Sequence, residues 1–185
     1  MVILSILLDT SGGSLTCFNQ NQFHGLALRL ELFGRPFLWV VRPYITTKLR
    51  DAYLDGFQVR VTTRSKIVGW APQQKVLSHP SISYFLTHCG WNSIMEAISC
   101  GVPFHYWPNF VDQFMNQNYV CDVWKVGLGL VQDATREEIK DKVEELLCHE
   151  GIRIRISELG EMARKSVQKG GNSHNNLGKL VEEMN

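Results

Sequence analysis

Three things are scarce in this 185-residue chain: charge of one sign, paired cysteines and long apolar runs. Lys and Arg number 19 against 18 Asp and Glu, a formal net charge of +1. The clustered basic excess that captures nucleic acid or an anionic membrane is therefore missing, and any ligand must be recognised locally. The five cysteines, Cys17, Cys89, Cys100, Cys121 and Cys148, include no Cys-x-x-Cys pair. That excludes the common zinc spacings and a disulfide framework, and predicts reduced thiols in the cytoplasm. The apolar N-terminal run from Val2 to Leu8 is broken by Ser5 and has no basic flank, too short for a bilayer span and unlike a signal peptide. Asn-x-Ser/Thr acceptor sites, internal repeats and low-complexity tracts are also missing.

What is present is a composition suited to folding, with 44% apolar and 10% aromatic residues. A chain of this length buries roughly 70% of the surface its unfolded form exposes, enough for one substantial core. Short runs rich in Val, Ile, Phe and Trp alternate with amphipathic segments, the rhythm of strands buried on both faces and joined by crossover helices. Strands are predicted at Val2 to Leu8, Phe37 to Val41, Lys66 to Val68, Ser83 to Thr87, Pro103 to Tyr106 and Gly127 to Val131. Helices are predicted at Asn21 to Leu32, Gln73 to Ser78, Asn92 to Ser99 and Asp112 to Val120. The expected class is α/β, a Rossmann-like, doubly wound parallel sheet. From about residue 135 the chain turns helical: Thr135-Arg136-Glu137-Glu138 reads as a capping box, a second helix runs from about Ile152 to Val167, and a third follows Gly170-Gly171. Thr46 to Thr63 reads as a loop. One domain over residues 1–185 is expected.

The chemistry concentrates between Trp70 and Gln113. A strand ending at Thr87, then His88, Cys89 and Gly90, then a helix, leaves free backbone N–H groups and a positive helix terminus at the carboxyl edge of the sheet. Phosphate is the natural ligand. Asn92 and Ser93 add short polar side chains, His88 adds a donor, and Glu96 stands one turn beyond Asn92, where a carboxylate can accept from a ribose diol. Each feature has a plainer reading. Ser93-x-x-Glu96 is also a capping box and Gly90 an ordinary turn glycine. Trp70 is also a rim aromatic, and Asp112-Gln113 a helix start.

Their joint occurrence closely resembles the signature of the plant family 1 UDP-glycosyltransferases, the plant secondary-product glycosyltransferase motif. Trp70-Ala71-Pro72-Gln73, Val76-Leu77 with His79, Phe85 with His88-Cys89-Gly90-Trp91-Asn92-Ser93, Glu96, Gly101-Val102-Pro103, Trp107-Pro108 and Asp112-Gln113 fill its 44 residues. Similarity extends upstream through Gly34 to Pro43 and downstream through Cys121 to Leu128 and Ala163-Arg164-Lys165. The resemblance implies the C-terminal, donor-binding half of a GT-B fold. It implies that Trp70 stacks on uracil, Ala71 and Gln73 address its edge, His88, Asn92 and Ser93 hold the diphosphate with help from Ser14, and Glu96 accepts from the ribose. Trp91, Asp112 and Gln113 would contact the sugar.

UDP-glucose then enters as co-substrate, with no further cofactor and no metal expected. Glucose would be transferred with inversion to a hydroxyl of a small lipophilic plant metabolite. In the family the acceptor pocket and the His-Asp pair that serves as general base lie in an N-terminal half absent here, so no catalytic residue is assigned and the chain alone is expected to be inactive. The alternative is a non-catalytic nucleotide-sugar-binding module or truncated gene product. One departure stands out: Leu8-Asp9-Thr10-Ser11-Gly12-Gly13-Ser14 lacks the aromatic residues of the family's first strand and gains an acid. Paired glutamates at 137–138 and 144–145, and the cations Arg153, Arg155, Arg164, Lys165 and Lys169, read as solvated helix faces.

Overall fold

The computed structural model describes residues 3–7, 20–41, 53, 55–106, 112–129 and 136–184. In chain order these form β1 (Ile3–Leu7), α1 (Gln20–Phe33), β2 (Phe37–Val40), α2 (Phe57–Val61), β3 (Ser65–Val68), α3 (Gln73–Leu77), β4 (Ile82–Thr87), α4 (Trp91–Cys100), β5 (Phe104–Tyr106), α5 (Asp112–Asn118), a π-helical turn (Tyr119–Val123), β6 (Gly127–Gly129), α6 (Arg136–Cys148), α7 (Glu150–Val167) and α8 (Asn172–Glu183). All strand pairs are parallel, in the order β3-β2-β1-β4-β5-β6. The expected doubly wound sheet is thus the observed one, in the Rossmann order. Strand β1 sits at its centre, with Leu4 opposite Phe37 on one side and Tyr84 on the other, while the atypical residues 8–14 lie outside the described residues.

Strand side chains alternate between the two faces, and the two cores follow that alternation. Phe37, Trp39 and Val41 of the β2 segment, with Tyr84 and Leu86 of β4, pack with Phe23, Leu26 and Leu30 of α1, Phe57 and Val61 of α2, and Val143 and Leu146 of α6. Val40, Phe85, Phe104 and Tyr106 point the other way, against Leu77 of α3, Ile94, Ala97 and Ile98 of α4, and Ile156 of α7. In the first layer the Phe23 and Trp39 rings stack with centroids 5.0 Å apart, and Tyr53 and Phe57 close the cluster around Trp39. In the second, α7 lies so close to α4 that a Cβ on Gly160 would come within 2.4 Å of the Ile98 carbonyl oxygen.

Two expectations need correction. Within the segment expected as loop, Phe57–Val61 forms the helical turn α2. Phe57 and Val61, one turn apart, are both fully buried, so tertiary burial overrides the weak local propensity of a segment flanked by Gly56 and Thr62. The helix expected to continue to Val120 instead widens into the π-helical turn at Tyr119. The third C-terminal helix follows Gly170-Gly171 as expected, with Gly171 at its cap position. The proposed cap residue Thr135 lies outside the described residues.

Candidate functional site

Strand order decides where ligand-binding loops meet. From β1 the chain winds outward to β2 and β3, then crosses back to β4 and winds outward the other way, so the order reverses between β1 and β4. At such a switch point the connections leave in opposite directions and open a crevice at the carboxyl ends of the strands. The return from β3 carries Trp70, Ala71 and Gln73 across that edge, while β4 delivers His88, Cys89 and Gly90 into α4.

The β4–α4 loop is built with care for the backbone. Cys89 adopts φ 70°, a left-handed conformation unusual for a residue with a side chain. Its N–H donates to Thr87 Oγ1 at 3.3 Å, and its carbonyl accepts from Asn116 Nδ2 at 3.1 Å. The side chain is fully buried. That burial pushes the thiol well above its ordinary pKa, with Cys121 and Asp112 adding to it. It is therefore a poor nucleophile near neutral pH. His88 is buried with its ring against Gly90: a Cβ there would lie 2.5 Å from His88 Nε2. Glycine at position 90 is thus required by the histidine rather than by a turn.

Gly90 also occupies the cap position of α4 and offers no side-chain cap. The first-turn N–H groups have no intrahelical acceptors, so they and the positive end of the helix face the crevice. Ser93 and Glu96 do not form a capping box, because Ser93 already lies inside the helix. Both are engaged from across the crevice instead: Gln73 Nε2 donates to Ser93 Oγ at 3.1 Å and to Glu96 Oε2 at 2.8 Å. Gln73 Oε1 is left buried without a partner among the described residues. A cluster of one amide, one hydroxyl and one carboxylate beside a helix N-terminus can present acceptors to a diol and donors to a phosphate.

The remaining candidates lie around this cluster. Trp70 is 63% exposed and Trp91 49%, and Asn92 is exposed in the first turn of α4. The Trp91 ring stands 6.0 Å from that of Trp124, which sequence reasoning did not single out. Asp112 and Gln113 open α5, Asp112 exposed and Gln113 buried. Asn116, one turn later, also was not anticipated. It ties Asp112 to the Cys89 carbonyl, contributing a 3.4 Å contact to Asp112 Oδ2. Its i,i+4 spacing from Asp112 was the available signal. Ser14, Trp107 and Pro108 lie outside the described residues. His79, counted in the motif, is not at this edge: it precedes β4, at the amino end of the sheet. Among the described residues no group of three His, Cys, Asp or Glu side chains converges as a metal site, and no helix is long and apolar enough to cross a membrane.

A parallel sheet in this order, with an uncapped helix N-terminus and polar side chains gathered at its switch point, defines a nucleotide-binding α/β class. The profile described as UDP-glucoronosyl and UDP-glucosyl transferase matches residues 10–165, and the chain belongs to that family. It is 41% identical to UDP-glycosyltransferase 73C10 of Barbarea vulgaris over 93% of this chain and 39% of the relative. It is 42% identical to DIMBOA UDP-glucosyltransferase BX8 of Zea mays over 95% of this chain and 40% of the relative. The chain thus spans about two fifths of the length of the curated relatives it matches. Among solved structures, Os79 from O. sativa in complex with UDP superposes with a TM-score of 0.88 at 30% identity, over 100% of this chain and 42% of the other. Phytolacca americana UGT2 complexed with UDP-2fluoro-glucose and pterostilbene gives 0.84 at 34% identity, over 98% and 41%. These neighbours are GT-B glycosyltransferases, and this chain matches one part of that fold.

Proposed function

We propose that this chain supplies the UDP-sugar site of an inverting glucosyltransferase whose acceptor is a hydroxyl of a small lipophilic plant metabolite. The observation that carries the reading is the meeting of Gln73 with Ser93 and Glu96 beside the N-terminus of α4, across a sequence gap of 20 and 23 residues. In this reading the α4 N–H groups, His88, Asn92 and Ser93 hold the diphosphate, and Glu96 accepts from the ribose hydroxyls. Gln73 holds the Glu96 carboxylate in position. Ala71 and Gln73 flank the uracil edge, Trp70 covers the base, and Ser14 adds a phosphate contact. Trp91, Asp112 and Gln113 face the sugar. Backbone donors and the helix terminus are enough to neutralise the diphosphate, so no metal or further cofactor is assigned.

Acceptor binding and the general base are proposed to lie outside these 185 residues. Holding acceptor, base and anomeric carbon together is worth roughly 7–11 kcal/mol of proximity and orientation, so donor binding alone should give almost no transfer. A cytoplasmic location is supported by Cys89, Cys100, Cys121 and Cys148 being free thiols.

The decisive experiment is calorimetric titration of the folded chain with UDP and UDP-glucose. Both should bind, and Trp70→Ala should weaken UDP by roughly 1–3 kcal/mol, on the order of 5- to 150-fold. A folded wild-type chain that binds neither ligand would refute the donor-site reading. Fusing a related N-terminal half ahead of Met1 should restore glucose transfer to plant phenolics. A folded fusion that binds both substrates and stays inactive would favour a non-catalytic binding module.

A further inference from the structure

A second cavity lies at the other end of the sheet. It is an open hollow of about 570 Å³ beneath the amino ends of β2, β3 and β4, within the size range of small-molecule sites. Phe37, Val76 and Ile82 provide apolar walls, and Lys66, Lys75 and His79 stand around them. Residues Ile82 and Thr87 bound β4, so the strand alone separates this cavity from the donor crevice by roughly 16 Å.

Its charge is one-sided. No carboxylate lines it among the described residues. Arg64 also borders the cavity but is already used: it donates to the carbonyl oxygens of Leu30 and Glu31, and its guanidinium lies 5.8 Å from the Phe37 ring centroid. Lys66 and Lys75 take part in no ion pair among the described residues. They approach from different elements, β3 and α3. His79 Nδ1 accepts the Ser81 N–H at 3.1 Å, which leaves Nε2 as the ring nitrogen that carries the proton and can donate. Two ammonium groups and an imidazole donor around an apolar hollow complement a ligand that is apolar over most of its surface and anionic at one end.

We propose that this amino-edge cavity is a second binding site, distinct from the donor crevice, for an amphipathic organic monoanion: an apolar body with a single carboxylate or sulfonate head. The body would lie against Phe37, Val76 and Ile82 and the head would meet Lys66, Lys75 and His79. A nucleoside diphosphate is disfavoured, because among the described residues the lining includes no helix N-terminus and its walls are largely apolar.

The test uses the whole chain with 8-anilinonaphthalene-1-sulfonate as probe, and N-phenyl-1-naphthylamine as a body of similar size without the charged head. The sulfonate should bind at one site per chain, unchanged by saturating UDP. In the double variant Lys66→Gln with Lys75→Gln its affinity should fall about tenfold, while the uncharged amine and UDP each bind within twofold of wild type. Amide shifts on adding the sulfonate should centre on Leu38, Ser65 and Val76. The proposal is overturned by displacement of the sulfonate by UDP, by equal loss of both probes in the variant, by a variant that retains the sulfonate, or by shifts confined to the exposed patch of Trp91, Phe114 and Tyr119. Should the double variant fail to fold, Val76→Glu, which sets a like charge against the head, should abolish sulfonate binding and spare UDP; sulfonate binding at wild-type affinity in that variant would equally overturn it.

Discussion

At the carboxyl end of the sheet the chain enters helices by their N-termini, as at His88 to Gly90 before α4, whereas at the amino end it arrives from helix C-termini, as at His79 to Ser81 before β4. The first geometry hands the crevice uncommitted N–H groups and a positive dipole; the second offers carbonyls and a negative one. A phosphate at the carboxyl end can therefore be held largely by backbone. An anion at the amino end must be held by side chains, here Lys66, Lys75 and His79. The same parallel topology leaves the amino-edge cavity dependent on a few side-chain cations.

The largest expected effect weakens both ends at once, through the sheet that carries them. His105 of β5 is wholly buried, with Nδ1 hydrogen-bonded to Tyr84 Oη. Burial, with the charge of Lys142 assisting, lowers its pKa from 6.5 to about 3. The unfolded chain takes up a proton below pH 6.5 that the folded chain refuses until about pH 3. Stability is therefore complete above 6.5 and lost as pH falls through that window, at up to about 1.4 kcal/mol per unit. Urea melts from pH 6.5 to 4.5 should show wild type losing about 2.3 kcal/mol more than His105→Gln. Parallel slopes for the two proteins would mean that the imidazole is not buried neutral.

The next separates the ends. Gly90→Ala forces the His88 ring aside and should weaken UDP by roughly 2 kcal/mol, about 30-fold, as overpacking of a tight site does. Sulfonate binding at the amino edge should not move. Unchanged UDP affinity would show that His88 does not serve the donor.

Glu96→Gln should cost about 1.5 kcal/mol of UDP binding, on the order of tenfold, by removing a charged acceptor from the ribose. Thermal stability should change little, since Gly90 and not Ser93 begins α4. A variant that melts earlier but binds UDP normally would return Glu96 to a structural role.

The smallest effect is expected from Arg35→Ala. Arg35 pairs with Glu144 of α6 at 2.7 and 2.8 Å, but both side chains are more than a third exposed. A loss of roughly 0.5 kcal/mol by denaturant melts, with neither ligand affected, is the expected result; a loss several times larger would show that this contact braces the amino end.

Local pattern in the sequence determined the class of fold and marked Trp70 to Gln113 as the candidate region for the site. Continuous apolar runs such as Phe37-Leu38-Trp39-Val40 and the interleaved helix faces are set by residues a few positions apart, and so is the His88 to Glu96 run that opens α4. Such features are legible because burial of a strand or helix face repeats along the chain. Only the tertiary structure decided what lies far apart in sequence and meets in space. The strand order brought Gln73 onto Ser93 and Glu96 and set β1 between β2 and β4. Burial against Trp39 turned Phe57–Val61 into a helix. The left-handed Cys89 and the cavity under Phe37, Val76 and Ile82 likewise arise from contacts between separate segments. Those outcomes depend on pairing and packing energies that no short window of sequence contains, because their partners are chosen only when the sheet closes.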